Sequence, residues 1–267
     1  MKKFPTALLT VSAVLLAACN ATPVNDAPDD VPTKQVHSVP EPEVSGPTDH
    51  VQPIEQVSRN ASPRILTMGD SLMAWHGITG GSISHSISRT LNEPVANNAV
   101  GGARILYKLP LTGAMGMKIA SQYREGDWDW VVVNGGGNDL WLGCGCGPCE
   151  KKMGRLISDD GRRGEIPRLV DGLRKTGAQV VYVGYLRSPG AWSPIEHCRD
   201  EGDQLETRIS KLADILPGVH FVSLADLVPH GDRSYHGIDM IHPSLKASRE
   251  IGQRVAAVIQ KAEQVED

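Results

Sequence analysis

The sequence predicts an α/β domain built on a five-stranded parallel sheet with helices on both faces, and three observations carry that prediction. Between residues 62 and 267, short apolar runs alternate with longer amphipathic ones. The short runs are nearly continuously apolar, as strands buried on both faces are. Gly, Asn and Asp collect where the runs end, the usual punctuation of strand-to-helix turns. No internal repeat breaks the segment, which is long enough for one buried core.

The elements follow in order. RILTM (64–68) is the first strand, and it breaks into Gly69-Asp70-Ser71-Leu72. On that fragment alone Ser71 reads as a helix N-cap, one of the commonest uses of serine. SISHSISRTLN (82–92) is amphipathic at helical spacing, and VANNAV (95–100) is the second strand, running into Gly101 and Gly102. MGMKIASQYREG (115–126) is read as a helix, WDWVVVNG (128–135) as the third strand, and GGNDLW follows it. GEIPRLVDGLRKTG (164–177) and EGDQLETRISKLADILPG (201–218) are helices on either side of the fourth strand, AQVVYVGYL (178–186). VHFVSL (219–224) is the fifth strand. The final helix spans 243–264, with Leu245, Ile251, Val255, Val258 and Ile259 on one face and Pro243 at its first position.

The segment before residue 62 has a different character. Residues 1–18 join Lys2 and Lys3 to a short apolar stretch ending in small residues, the layout of an export signal. Leu16-Ala17-Ala18-Cys19 resembles the bacterial lipoprotein box. That resemblance implies a lipid on Cys19 and, with Asn20 following, an outer-membrane anchor facing the periplasm. Residues 19–61 are rich in Pro and acids and carry no aromatic residue, so they are read as a disordered tether. Loss of the signal removes two lysines and takes the formal net charge from −4 to −6. Nothing basic remains to favour nucleic acid, and the only membrane contact expected is through the anchor.

In sheets of this kind ligands bind beyond the carboxyl ends of the strands. Ser71 lies there, as do Gly102, Asn138 and the pair Asp239 and His242. Each has a plain explanation in turn chemistry. Together they supply a nucleophile, a base, a group to orient the base, and donors for an oxyanion. His230, Asp232 and His236 are rivals close in sequence to His242, but none forms a D-x-x-H pair.

At these residues the chain resembles the SGNH, or GDSL, hydrolase family. The matching motifs are Gly69-Asp70-Ser71-Leu72, the glycine in NNAVGG, Gly136-Gly137-Asn138-Asp139, and Asp239-Met240-Ile241-His242, in family order across nearly the whole domain. The resemblance implies a flavodoxin-like three-layer α/β/α sandwich that hydrolyses esters, thioesters or sugar acyl groups without metal or cofactor. It implies Ser71, His242 and Asp239 as catalytic triad. Ser71 N–H, Gly102 (or Gly101) and the Asn138 amide are the implied oxyanion donors. Asp70 is expected to brace the serine turn, and His76 to be a wall of the site or an exposed helix residue.

Four cysteines lie outside the family pattern: Cys144, Cys146, Cys149 and Cys198. In an exported domain an even count points to disulfides. Cys144 and Cys146 are too close for an easy bridge, so Cys198 is expected to pair with one of the cluster while the other two pair locally, stiffening a pocket wall. Cys146 and Cys149 also fit a thiol-redox motif, and three or four thiolates with His197 would suit zinc. Trp75, Trp141, Tyr185 and Trp192 fall near the same sheet edge, as packing groups or as surfaces for a sugar or acyl chain. The expectation is therefore a monomeric serine esterase or deacylase acting on a small-molecule or glycan acyl ester. A non-catalytic glycan-binding or envelope-structural protein on the same fold is the reading from another class.

Overall fold

The computed structural model describes residues 63–190 and 192–266. The signal, Cys19 and the tether predicted for residues 1–61 lie outside the described residues. Five strands form one parallel sheet in the order β2-β1-β3-β4-β5: β1 (Ile65–Met68), β2 (Val95–Asn97), β3 (Trp130–Val133), β4 (Gln179–Val183) and β5 (Val219–Val222). Parallel register sets Ile65 beside both Val95 and Trp130, and Val183 beside Val222. Each right-handed crossover of such a sheet needs a covering segment, and the helices supply it.

Alternation along the strands sorts the core into two layers. Leu66, Met68, Val131, Val133, Val180 and Tyr182 face one side. There they meet α4 (Gly137–Cys144), α5 (Glu150–Leu156), α6 (Glu165–Arg174) and α7 (Arg199–Ile215). Ile65, Trp130, Val132 and Val181 face the other, against α2 (Ile83–Leu91) and α8 (Leu245–Glu266). The last two helices approach so closely that a Cβ on Gly252 would stand 2.4 Å from Ser86 Cβ. Arg64 ties this layer at its base, pairing with Glu93 at 2.6 Å and Glu263 at 2.6 Å.

Three expectations need correction. Residues 115–126 do not form a helix: Gly113–Met117 make one π turn with Gly116 at φ 99°, and Ile119–Gln122 a 3-10 turn. Glycine at those points disfavours a regular helix. Buried Gln122 also spends its amide on the carbonyls of Gly69 and Gly116 instead of facing solvent. The final helix begins at Leu245, two residues after Pro243, because the Ser244 hydroxyl caps it by accepting from Ala247 N–H. Leu245 itself is 58% exposed, whereas Ile251, Val255 and Ile259 are fully buried. Finally, α3 (Pro110–Thr112), α4 and α5 are short helices without a sequence counterpart above, and α1 (Ser71–Ala74) is the helix after the serine turn, with Asp70 rather than Ser71 as its cap. Among the described residues no helix is long and apolar enough to cross a membrane.

Candidate active site

β1 delivers Gly69, Asp70 and Ser71 to the carboxyl edge of the sheet. The cap of α1 is Asp70, whose Oδ1 accepts from Leu72 N–H at 3.0 Å, so Ser71 is not spent on capping and opens the helix instead. Gly69 has φ 150°, and a Cβ there would lie 1.9 Å from Asn134 Oδ1. That crowding exists because Asn134, at the end of β3, locks the turn. Its Oδ1 accepts from Asp70 N–H at 3.1 Å and its amide donates to Asp70 Oδ1 at 3.0 Å. Gln122 adds a second lock, accepting from Gly69 N–H at 2.6 Å and donating to Gly69 O at 2.8 Å.

Asp70 is thus the brace expected of it, and it is almost wholly buried. Tyr185 donates to its Oδ2 at 2.5 Å. Burial pushes the Asp70 carboxyl above its ordinary range, against the opposing pull of the hydrogen bonds from Tyr185, Leu72 and Asn134. An acid whose native value lies above its unfolded value binds its proton more tightly when folded, so stability declines as pH rises from the ordinary carboxylate range through the native value. Asp70→Asn removes that ionisation. Its melting temperature relative to the wild type is therefore expected to be higher at pH 7 than at pH 4. A difference independent of pH, measured by differential scanning fluorimetry, would contradict the assignment.

The loop after β2 carries Gly101, which is exposed, and Gly102, half-buried at φ 76°. Asp139 on α4 holds this loop by accepting from Ile105 and Leu106 N–H, both at 2.8 Å. The Asn138 amide donates to Ala103 O at 3.1 Å. Asn138 and the loop that follows the two glycines are therefore one unit. Gly102 itself is not among the residues lining the pocket described below.

Asp239 and His242 meet as their spacing suggested. His242 Nδ1 donates to Asp239 Oδ2 at 2.5 Å, while Asp239 Oδ1 accepts from the N–H groups of Ile241 and His242 at 3.1 and 3.0 Å. Met240, buried at φ 56°, makes the turn between them. Partial burial raises the Asp239 carboxyl, but the hydrogen bonds from the His242 ring and from the two backbone N–H groups outweigh it and hold it below its ordinary range. Of the rivals, His230 is exposed. His236 is buried, and burial lowers its affinity for a proton while the Asp239 charge opposes.

Ser71, Asn138 and His242 line one pocket of about 110 Å³. Its apolar wall includes Leu140, Trp141, Ile195 and Leu205. Cys146 and Cys198 complete that wall as a disulfide, and Cys144–Cys149 forms the local pair beside it. Cys146 and Cys149 thus belong to different bridges, which removes the dithiol of a redox motif. Cys146, His197 and Cys198 do cluster with ligand atoms within 4.8 Å. Both sulfurs are already bonded to each other, so neither is a thiolate for zinc.

Sequence reasoning placed neither Asn134 and Gln122 in the serine turn nor Trp75 against His242. It also missed the ion pair of Arg187 with Glu206 at 2.8 Å, which supports the strand end carrying Tyr185. Asn134 offered a signal, an amide closing an apolar strand at the ligand-binding edge. Trp192, at φ 60°, is 88% exposed.

The comparisons agree with this architecture. The chain is similar to an SGNH hydrolase from Slackia heliotrinireducens at 20% identity and TM-score 0.52, covering 74% of this chain and 99% of that one. A carbohydrate acetylesterase family member from Sinorhizobium meliloti matches at 16% identity and TM-score 0.55, covering 75% and 98%. A carbohydrate esterase family 2 enzyme of Corynascus, solved with its carbohydrate-binding domain, matches at 16% and 0.52, covering 76% and 67%. No curated protein matches the chain significantly. The GDSL-like lipase/acylhydrolase family matches residues 67–249, well over half of the chain. Five parallel strands in this order, the GDSL turn at the end of the first and the family match along the domain lead to one conclusion: the chain belongs to the GDSL-like lipase/acylhydrolase family and is an ester-hydrolysing enzyme.

Proposed function

We propose that this enzyme is a serine esterase that removes short acyl groups, with Ser71, His242 and Asp239 as its triad. The observation that carries the reading is that His242, held by Asp239 at 2.5 Å, lines the pocket that Ser71 also lines. Asp239 fixes the proton on Nδ1, which leaves Nε2 as the base. Nε2 accepts the Ser71 proton as Oγ bonds to the acyl carbon, and the carbonyl becomes an oxyanion. His242 returns that proton to the leaving alcohol, and water repeats the cycle to release the acid. The Asn138 amide spends one N–H on Ala103 O and has a second for the oxyanion. The N–H of Ser71 is a second donor, each such donor being worth about 3–4 kcal/mol of barrier, and the N–H of Gly102, a residue outside the pocket lining, is the third that the family resemblance implies.

The pocket favours a short acyl group. Its volume of about 110 Å³ is well below the roughly 300–1,000 Å³ of drug-sized sites, and a disulfide that cannot change rotamer as a free side chain does forms part of its wall. The Sinorhizobium protein is named a carbohydrate acetylesterase and the Corynascus protein a carbohydrate esterase, which makes acetylated carbohydrate the first substrate class to try. Export and anchoring through Cys19 belong to the same reading and are supported by residues 1–19 alone.

The test combines a fluorophosphonate probe with p-nitrophenyl esters of two to eight acyl carbons. Mass mapping should find the probe on Ser71, and acetate and butyrate should be cleaved faster than octanoate. Neither labelling nor turnover would overturn the esterase reading in favour of a binding protein on the same fold, and a preference for octanoate would overturn the short-acyl part alone.

A further inference from the structure

The imidazole of His242 is held at its edge by Asp239, but an edge contact does not stop a ring from tilting. A second group controls the tilt. The Trp75 indole lies flat on the His242 ring, centroids 3.8 Å apart and planes within 6° of parallel. Trp75 is itself fixed to the nucleophile, because its N–H closes α1 by donating to Ser71 O at 2.9 Å. One residue therefore joins the serine turn to the histidine across 167 positions of chain.

The neighbouring residue reinforces this arrangement. His76 adopts φ 59°, an uncommon conformation for a non-glycine residue. Its Nε2 lies 3.1 Å from Pro243 O. A carbonyl only accepts, so Nε2 of His76 carries the proton and is not a base for Ser71. Its ring meets the Trp75 indole edge-on, centroids 6.2 Å apart at 73°. Trp75 thus holds the ring of His242, and His76 holds the carbonyl of the next residue.

We propose that Trp75 is a positioning residue for His242, with His76 fixing the backbone beside it. The proposal rests on the esterase reading given above. When His242 takes the Ser71 proton, it becomes a cation lying on the face of an indole, an attraction that is weak for the neutral ring and stronger for the charged one. An interaction that strengthens as the proton moves raises kcat rather than substrate affinity. A Trp75 that instead contacted substrate would act on KM.

The experiment compares Trp75→Phe and Trp75→Leu in the full-length protein, using a short p-nitrophenyl ester and the rate of fluorophosphonate labelling, with Ser71→Ala as control. Trp75→Leu should lower kcat about 3- to 30-fold, leave KM within about twofold and slow labelling in parallel. Trp75→Phe, which restores an aromatic face, should recover most of the loss. If Trp75→Leu fails to fold, Trp75→Met makes the same comparison. Unchanged kcat, a change confined to KM, or a phenylalanine variant no better than leucine would each overturn the proposal. Turnover that survives Ser71→Ala would instead sink the esterase reading itself.

Discussion

Ser71→Ala should abolish ester hydrolysis, lowering kcat by about a million-fold, while Asp239→Asn should cost about ten-thousand-fold, the magnitudes found when a hydrolytic triad loses its nucleophile or its orienting acid. The two losses have different causes. Without Oγ no acyl-enzyme forms, and only the oxyanion donors still act on the substrate. With asparagine at 239 the nucleophile remains, but the group facing His242 Nδ1 is no longer charged and can present N–H as well as oxygen. The imidazole can then carry its proton on Nε2, where it cannot accept one from Ser71, and its cation loses the partner now 2.5 Å away. The Ser71 variant should melt close to the wild type, since its hydroxyl takes no part in the hydrogen bonds of the serine turn, whereas Asp239→Asn should melt somewhat lower at pH 7, because the hydrogen bonds that hold the Asp239 carboxyl below its ordinary range stabilise the fold in its ionised form. Steady-state kinetics on a short ester decide the matter. An Asp239→Asn enzyme within tenfold of the wild type would remove Asp239 from the triad.

Gly69→Ala should damage folding and activity together. The added methyl would fall 1.9 Å from Asn134 Oδ1 and 3.0 Å from Asn134 O, on a backbone with φ 150° that side-chain-bearing residues rarely adopt. Relief requires Asn134 to swing away, which breaks both of its bonds to Asp70 and leaves a buried carboxylate with fewer donors. Each of the two buried partners lost costs about 1–3 kcal/mol and the strained backbone a further 1–3, so a loss of roughly 3–9 kcal/mol is expected in urea unfolding. Gly101→Ala is the control, since a Cβ there meets nothing within 4 Å and should change stability by less than about 0.5 kcal/mol. Equal effects at the two glycines would show that the serine turn tolerates displacement of Asn134.

The sheet was legible because strand periodicity and turn chemistry are local. Each run such as WVVV carries its burial in its own composition, and the order of motifs placed Ser71, Asn138 and His242 at one edge through a general property of parallel sheets. Residues 115–126 misled for the same reason. Their spacing resembles a helix, yet Gly116 and the buried Gln122 serve the serine turn, and a contact with Gly69 is invisible to any short window. The cysteines were partly legible, since spacing excluded a Cys144–Cys146 bridge but could not choose which neighbour Cys198 takes.

The amino-acid sequence by itself determined the class of fold, the order of the strands along the chain, the family and the identity of the residues able to carry the chemistry. All of these reside in the composition of short segments and in their succession. Tertiary structure alone decided what holds those residues in place: Asn134 and Tyr185 on Asp70, Trp75 on His242, Cys146 on Cys198. These partners lie 52 to 167 positions apart in the chain. No local pattern encodes such pairs, because they come into contact only when the strands have taken their register and brought the loops at the sheet edge together.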